Sequence, residues 1–191
     1  MNADIYALSI SGALAANTNT SVSQGSSNPL TITGAGAGTG NIIRNITQAK
    51  IENKSITTAN ILNLKVEDTS KINADIGGAA ISLSNGSGSG GNSAGQYSVA
   101  VGVAIAQNTI TNNLQAVISN STVDAKNNLS VISNSNAEIE ALALSLAVAA
   151  SNPFSGGSGE SISVSGAGAG TYNQIDNIVE STITNLSLIH I

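Results

Sequence analysis

The sequence predicts an all-β fold, specifically a right-handed parallel β-helix (β-solenoid) with loop insertions rich in Gly, Ser and Asn. Three observations support this prediction: a repeat of about 65 residues, small and large residues that alternate with period two, and an unusual composition. The chain is 41% hydrophobic but only 2% aromatic and 9% charged, against roughly 25% charged in ordinary globular proteins. Its apolar content argues against a disordered chain, and its Ile, Val, Thr, Asn and Gly are typical of strands and tight turns.

The repeat is defined by a motif that occurs three times, at successive offsets of 67 and 65 residues. Apolar residues that stay in register over such a period are typical of stacked repeat architectures. We therefore interpret residues 1–185 as one solenoid fragment of three units, 2–72, 73–135 and 136–185. Five motif positions keep their spacing in every unit: Asn41, Ile43, Asn45, Ala49 and Ile51; Asn108, Ile110, Asn112, Ala116 and Ile118; Asn173, Ile175, Asn177, Ser181 and Ile183.

The first strand of each unit follows a shared opening at residues 2–5, 73–76 and 136–139. Small and large residues then alternate, and this period of two indicates a strand in spite of the helix propensity of Ala and Leu. A segment rich in Gly, Ser and Asn comes next in every unit, and we expect loops inserted on one face of the solenoid. These segments are residues 17–28, 85–96 and 151–160.

The second strand of the middle unit places Val99, Val101, Val103 and Ile105 on one face, which we expect to point inward. The equivalent positions in the other units are Ile32, Gly34, Gly36 and Gly38, and Val164, Gly166, Gly168 and Gly170. Glycine at an inward position indicates a backbone that a neighbour approaches closely. A phosphate-binding role for residues 34–38 would need a following helix; because Ile42 and Ile43 follow instead, we favour the structural interpretation.

The size of one coil is suggested by the 21-residue interval from Ile51 to Ile72. At about 21 residues per coil we expect three coils per unit, so that a unit is about 14 Å long, and right-handed connections are the default. We also predict that Asn41, Asn108 and Asn173 form a ladder at a corner, since Asn tolerates left-handed conformations and stacks on itself. The alternative is a row of side-chain amides that contacts carbohydrate.

Catalysis by a nucleophile and base is not expected, because the chain has no cysteine and His190 is its single histidine. The same inventory leaves no His or Cys metal site and no cofactor motif. We expect no nucleic-acid partner, because phosphate binding needs a basic face and this chain has a net charge of −5. We expect no membrane span, since the longest apolar run is residues 141–150, and no signal peptide in the first residues. Most basic residues lie in the first unit, on what we interpret as a solvated face: Arg44, Lys50, Lys54, Lys65 and Lys71.

Two other functions remain as alternatives. A polysaccharide-degrading β-helix enzyme would use clustered carboxylates, and the candidates are Glu67 with Asp68, Glu138 with Glu140, and Asp176 with Glu180. The single arginine, Arg44, lies in another unit, so we favour solvated surface charge. An ice-binding solenoid would use Thr31 with Thr33 and Thr109 with Thr111; the equivalents of Thr111 are Arg44 and Asp176, so no flat threonine face is expected.

The last six residues, Leu186 to Ile191, break the repeat pattern. They resemble the translation of a common sequencing-library transposon end. We interpret residues 186–191 as a sequencing-adapter artefact and exclude them, and His190 with them, from the prediction of fold and function.

The repeated units resemble those of large bacterial filamentous adhesins. The likeness is carried by Ala-Val-Ile-Ser-Asn-Ser-Thr-Val at residues 116–123 and by the strand with its Gly-Ala run at residues 162–171. Similar repeats occur in fusobacterial leukotoxin-type adhesins and in filamentous-haemagglutinin-like or autotransporter passengers. The resemblance implies an extracellular, cell-surface stalk that is not an enzyme, a protein or glycan receptor on a host or surface, and an outer-membrane translocator encoded outside these residues.

Overall fold

The computed structural model describes residues 2–19, 30–58, 60–87, 95–154 and 160–189. These residues form nine strands and no helix, which confirms the predicted all-β class. The predicted loops lie partly outside the described residues, at 20–29, 88–94 and 155–159. The strands are β1 (Asp4–Asn19), β2 (Leu30–Glu52), β3 (Ser55–Thr58), β4 (Ile61–Asp68), β5 (Lys71–Ser87), β6 (Gln96–Ala125), β7 (Asn128–Ser135), β8 (Glu138–Phe154) and β9 (Ser161–Ile189).

The strands form three parallel sheets that do not close into a barrel. One sheet has the order β1–β5–β8, and a second consists of β4 and β7. In the third sheet, β6 pairs with β2 and β3 along one edge and with β9 along the other. Each sheet therefore takes its neighbouring strands from successive sequence units.

The register of these sheets corrects the expected coil size. Paired residues are a whole unit apart, as in Asn41 with Asn108 and Asn108 with Asn173, at separations of 67 and 65 residues. The expectation of three 21-residue coils per unit is therefore wrong. The strands are long enough, 30 residues in β6, for one unit to contribute a single layer, so each unit adds one strand spacing of about 4.8 Å rather than 14 Å.

Over the first part of each unit, sheet β1–β5–β8 packs against the first half of sheet β2–β6–β9, and we call this part the slab. Its inner faces carry small residues: Ala104 and Ala106 pack on Ile76, and the Ser98 hydroxyl donates to the Ser82 carbonyl at 2.9 Å. The backbones come close together, because a Cβ added to Gly78 would lie 2.7 Å from the carbonyl oxygen of Val103. The slab is thin for this reason.

The second strand therefore faces the opposite way from our prediction. Val101, Val103 and Ile105 point outward and are 47, 38 and 57% exposed. The glycines at equivalent positions also point outward: exposed positions alternate along β2, and the glycines of β9 are in register with Val101, Val103 and Ile105. The prediction failed because it assigned the larger residues to the inside, whereas the close approach of the two sheets leaves room mainly for Ala, Ser, Thr and Gly, with Ile76 as a larger exception.

The wide end is the part where β4 and β7 join the later halves of β2, β6 and β9, and here the large residues are inside. Ile43 and Ile110 form one apolar cluster with Ile72, which lies at the start of β5, and Leu114 packs with Val66 in another. Ile118 is fully buried, as its place in the repeated motif predicts.

The repeated asparagines form the predicted ladder, but it is not at a corner. Nδ2 of Asn41 donates to Oδ1 of Asn108, and Nδ2 of Asn108 donates to Oδ1 of Asn173, both at 2.8 Å. These residues lie inside the long strands β2, β6 and β9; Asn41 and Asn108 are buried, and Asn173 on the edge strand is exposed. The left-handed positions belong to a different set, Asn53, Asn120 and Asn185, with φ of 54°, 46° and 49°. Asn is suited to such bends because its short side chain tolerates positive φ.

Candidate functional site

The first candidate carboxylate pair, Glu67 and Asp68, is split between two faces of β4. Adjacent residues of a strand point in opposite directions, so Glu67 faces outward and contacts Nζ of Lys65 at 2.5 Å. Asp68 faces inward and is almost fully buried. The two carboxylates therefore cannot act on one bond.

Asp68 lies at the centre of a buried polar cluster in the wide end. One carboxylate oxygen accepts from Nδ2 of Asn45 at 3.2 Å and from the hydroxyl of Ser70 at 2.9 Å. The other oxygen accepts from Nδ2 of Asn112 at 2.5 Å and from the backbone N–H of Ser70 at 3.4 Å. A buried charge is tolerated when its hydrogen bonds are satisfied, and these four contacts give Asp68 a structural role.

The second pair, Glu138 and Glu140, lies on one outward face of β8, as its strand spacing predicts. Both carboxylates contact Nζ of Lys71, at 3.2 and 3.1 Å. The hydrogen bond from Lys71 holds the pKa of Glu140 below its ordinary value, and the same contacts raise the pKa of Lys71. A general acid of a glycosidase needs a raised pKa, so the shift of Glu140 is opposite to what that role requires.

The third pair, Asp176 and Glu180, lies on the outward face of β9. Glu180 accepts from Nε2 of Gln115 at 3.4 Å and from the hydroxyl of Thr182 at 2.8 Å. Arg44 and Asp176 occupy equivalent register positions, with Thr111 on the strand between them, so they are about 9.6 Å apart along the sheet. The three carboxylate pairs belong to three different sheets, and the fold does not bring them together.

A shallow depression lies next to the Lys71 ion pairs, on the outer face of sheet β1–β5–β8. It contains one carboxylate from each of two strands, Asp75 on β5 and Glu140 on β8. Its lining residues are Tyr6, Asn73, Asp75, Glu140, Ala141 and Leu142.

The threonines proposed for ice binding do not form an array. Thr31 and Thr33 point into the slab and are only 5% exposed. Thr111 points outward, between Arg44 and Asp176 on the adjacent strands. The residues that an ice-binding face would need are therefore divided between the interior and a charged surface.

The Gly-Ala run at residues 34–38 is extended strand throughout, in the middle of β2. The strand continues to Glu52, and no helix follows it among the described residues. A phosphate cradle requires backbone N–H groups that converge at a turn before a helix, so this arrangement gives no support to phosphate binding.

The feature that sequence reasoning missed is the apolar character of both outer faces of the slab. Large side chains with exposures of 54 to 75% cover one face, including Leu8, Ile10, Leu144 and Leu146. The signal was present in the sequence, because Ala, Ser and Gly occupy every alternate position opposite these residues. An extended apolar surface of this kind is typical of an interaction site.

The residues excluded as an artefact are partly described. Residues 186–189 extend β9 and pair with residues 121–124 of β6, which does not bear on their origin, and His190 lies outside the described residues. Within the described residues, no three His, Cys, Asp or Glu side chains are grouped closely enough to hold a metal ion, and no helix could cross a membrane. No family model, curated protein or solved structure matches the chain.

Proposed function

We propose that this chain is a non-catalytic stalk segment of a large, secreted bacterial cell-surface adhesin, folded as a right-handed β-solenoid with one coil per unit. The observation that carries the proposal is the in-register stacking of equivalent residues from three successive units, of which the ladder Asn41–Asn108–Asn173 is the clearest case. Stacking of like residues lets a solenoid extend by repetition, since each unit contacts only its neighbours.

Three further ladders support the same proposal. Nε2 of Gln48 donates to Oε1 of Gln115 at 2.8 Å, Nδ2 of Asn185 donates to Oδ1 of Asn120 at 2.9 Å, and Nδ2 of Asn127 donates to Oδ1 of Asn60. Connections between parallel strands are right-handed in almost all proteins, which supports the handedness. With one coil per unit, a stalk of a given length needs many more residues than three coils per unit would require.

The stalk role is favoured over a polysaccharide enzyme because the three candidate carboxylate pairs lie on separate sheets and the pKa of Glu140 is lowered. The resemblance of residues 116–123 and 162–171 to filamentous adhesin repeats supports a location on the cell surface. In this proposal the receptor is a protein or glycan, and an outer-membrane translocator exports the whole protein.

The proposal predicts that antibodies raised against residues 1–185 label intact cells of the source bacterium. Brief protease treatment of those cells should remove the label, while an antibody against a cytoplasmic protein should label only permeabilised cells. Labelling that requires permeabilisation would contradict the surface location. Release of reducing or unsaturated sugar from pectin, alginate or hyaluronan by the purified chain would overturn the non-catalytic role.

A further inference from the structure

The stack of three units has an uncovered strand edge on each side. Among the described residues, β8 pairs only with β5 and β9 only with β6, so the far edges of β8 and β9 have no neighbouring strand. The far edges of β1 and β2 are uncovered in the same way. We call these the β8–β9 edge and the β1–β2 edge. The unpaired N–H and C=O groups of such edges are a template for pairing with another strand.

The β8–β9 edge also exposes positions that are interior in the middle unit. Ile175 and Ile183 are 48 and 47% exposed, whereas the residues paired with them, Ile110 and Ile118, are fully buried. A terminal repeat of a stacked protein usually stays soluble through a polar outer surface, but this edge presents isoleucines of the repeated motif. It therefore carries apolar surface that a further layer of the same kind would cover.

The two edges carry opposite charges where the motif strands run. From residue 136 onward the sequence contains five acidic residues and no lysine or arginine. Two of them, Asp176 and Glu180, are exposed on β9. On β2 the exposed charged residues are Arg44 and Lys50, with Glu52 at the end of the strand. Complementary charges on two surfaces guide association and fix its register.

We propose that the β1–β2 edge of one copy of this chain pairs with the β8–β9 edge of a second copy, in parallel and in the register that joins the units within the chain. One further step of that register places Arg44 of one copy beside Asp176 of the other. Gln48 would lie beside Glu180, as Gln115 does within the chain, where its Nε2 donates to the Glu180 carboxylate at 3.4 Å. Opposite charges on adjacent strands stabilise their pairing.

The same register continues the interior contacts of the stack. Within the chain, the ladder donates from Asn41 to Asn108 and from Asn108 to Asn173. In the proposed contact, Nδ2 of Asn173 would donate to Oδ1 of Asn41 in the other copy, which extends the ladder in its existing direction. Ile43 of that copy would lie against Ile175. The contact between copies therefore repeats the contact between units.

One pair in this register is unfavourable. Asp4 of one copy would lie beside Glu138 of the other. Nζ of Lys71 contacts the Glu138 carboxylate at 3.2 Å, and this positive charge offsets the repulsion. β4 would have no strand beside it, because β7 lies at the level of the middle unit. The pairing is therefore confined to β1 and β2 of one copy and β8 and β9 of the other.

The contact is large enough for measurable association. β1 and β2 contribute 16 and 23 residues. At about 3.3 Å per residue and about 10 Å of width, these strands would cover roughly 1,300 Å² per partner, which exceeds the roughly 800 Å² per partner of a standard interface. Because the two edges are different surfaces on opposite sides of the stack, the contact does not close on itself and adds copies in an open row.

The experiment reverses single charges and compares self-association of the purified chain by sedimentation velocity up to several hundred micromolar. The average mass of the original chain should rise with concentration without levelling off. Arg44→Asp and Asp176→Arg each place two like charges side by side and should weaken association about tenfold. The matched control, Asp75→Arg, makes the same change of net charge as Asp176→Arg but lies on the middle strand of its sheet, so it should associate like the original chain.

Mixing the two variants separates paired edges from a general effect of charge. In an equimolar mixture, the carboxylate introduced by Arg44→Asp faces the guanidinium introduced by Asp176→Arg, and the two unchanged edges face each other. The mixture should therefore recover association to within about threefold of the original chain. The double variant that carries both substitutions should recover it as well. Circular dichroism checks that every variant is folded.

The proposal is overturned if the chain stays monomeric over the whole concentration range, or if both charge reversals associate as tightly as the original chain. It is also overturned if the mixture associates as weakly as each variant alone. An average mass that levels off at two copies would mean that like edges pair with each other, and this too would overturn it. None of these outcomes bears on the surface labelling that tests the proposed stalk role.

Discussion

The slab and the wide end follow the same alternation of residues but place opposite kinds of side chain inside. In the slab, Ala104 and Ala106 are buried while Val103 and Ile105 are exposed. In the wide end, Ile110 and Leu114 are buried while polar residues alternate with them along β6. The difference comes from the distance between the packed sheets. Period two identifies a strand, but the space available on each side decides which half of its residues forms the core.

The two regions also bury polar groups differently. The slab buries single hydroxyls, and some of them bond to strand carbonyls or to each other, as Ser98 does with Ser82 at 2.9 Å. The wide end has room for whole amides and a carboxylate, so Asn45 and Asn112 can enclose Asp68. The slab therefore depends on close backbone approach, and the wide end depends on large apolar residues and a hydrogen-bonded network.

The largest effect is expected from a charge placed in the core of the wide end. Ile118→Asp should lower the free energy of unfolding by several kcal/mol, because the new carboxylate would be fully buried without a partner or would have to be protonated. The matched control, Ser119→Asp, faces away from the core and lies opposite Glu52. It should cost under about 1 kcal/mol.

Thermal and urea unfolding of both variants, followed by far-ultraviolet circular dichroism, measures this difference. If Ser119→Asp unfolded the chain while Ile118→Asp was tolerated, the strand would face the opposite way and the wide end as described would be wrong.

An intermediate effect is expected in the slab, where adding a single methyl group between the two sheets should lower the free energy of unfolding. A Cβ added to Gly102 would lie 2.6 Å from the carbonyl oxygen of Leu146 and 2.8 Å from the hydroxyl of Ser145. Gly102→Ala should therefore force the two sheets apart and cost about 1–3 kcal/mol. Gly36→Ala, on the outer face of the same sheet, should instead stabilise by roughly 0.5–1 kcal/mol.

Urea unfolding of the two alanine variants measures the change in the free energy of unfolding, and we expect this change to have opposite signs at the two positions. Equal effects at Gly102 and Gly36 would mean that the sheets of the slab do not approach each other as closely as the structure places them.

The sequence was sufficient to predict the strands and the motif positions that form the wide end, because Ile43, Ile110 and Ile118 recur at constant spacing beside polar residues. The sequence did not predict which residues of the slab strands face inward. That choice depends on the distance to the facing sheet, and the alternation of small and large residues does not contain this information. The coil size was wrong for a related reason: the 21-residue interval from Ile51 to Ile72 joins residues of two different sheets. The candidate carboxylates could be found by residue type, but only the topology shows that they lie on separate sheets.

The smallest effect is expected at the surface, where Lys71 bridges Glu138 and Glu140 across two strands of the slab. Because the folded state lowers the pKa of Glu140, the stabilisation is present above the ordinary carboxylate pKa of about 4.3 and is lost as the pH falls through the lowered value. Because it raises the pKa of Lys71, the stabilisation is complete below the ordinary lysine pKa of about 10.4 and is lost as the pH rises through the raised value.

Lys71→Met removes the ion pairs with Glu138 and Glu140 but keeps an apolar side chain of similar length on the strand. Its melting temperature should therefore lie closest to that of the original chain at pH 3 and at pH 12, and should lie below it between about pH 5 and pH 10. The gap at pH 7 should shrink in 1 M NaCl, since salt screens exposed charges. Lys65→Met is the matched control, because Lys65 pairs with Glu67 on β4, in a different sheet; it should leave the pH dependence contributed by Glu140 unchanged. A gap for Lys71→Met that stayed constant from pH 3 to pH 12 would show that the lysine acts through its aliphatic chain rather than through its charge.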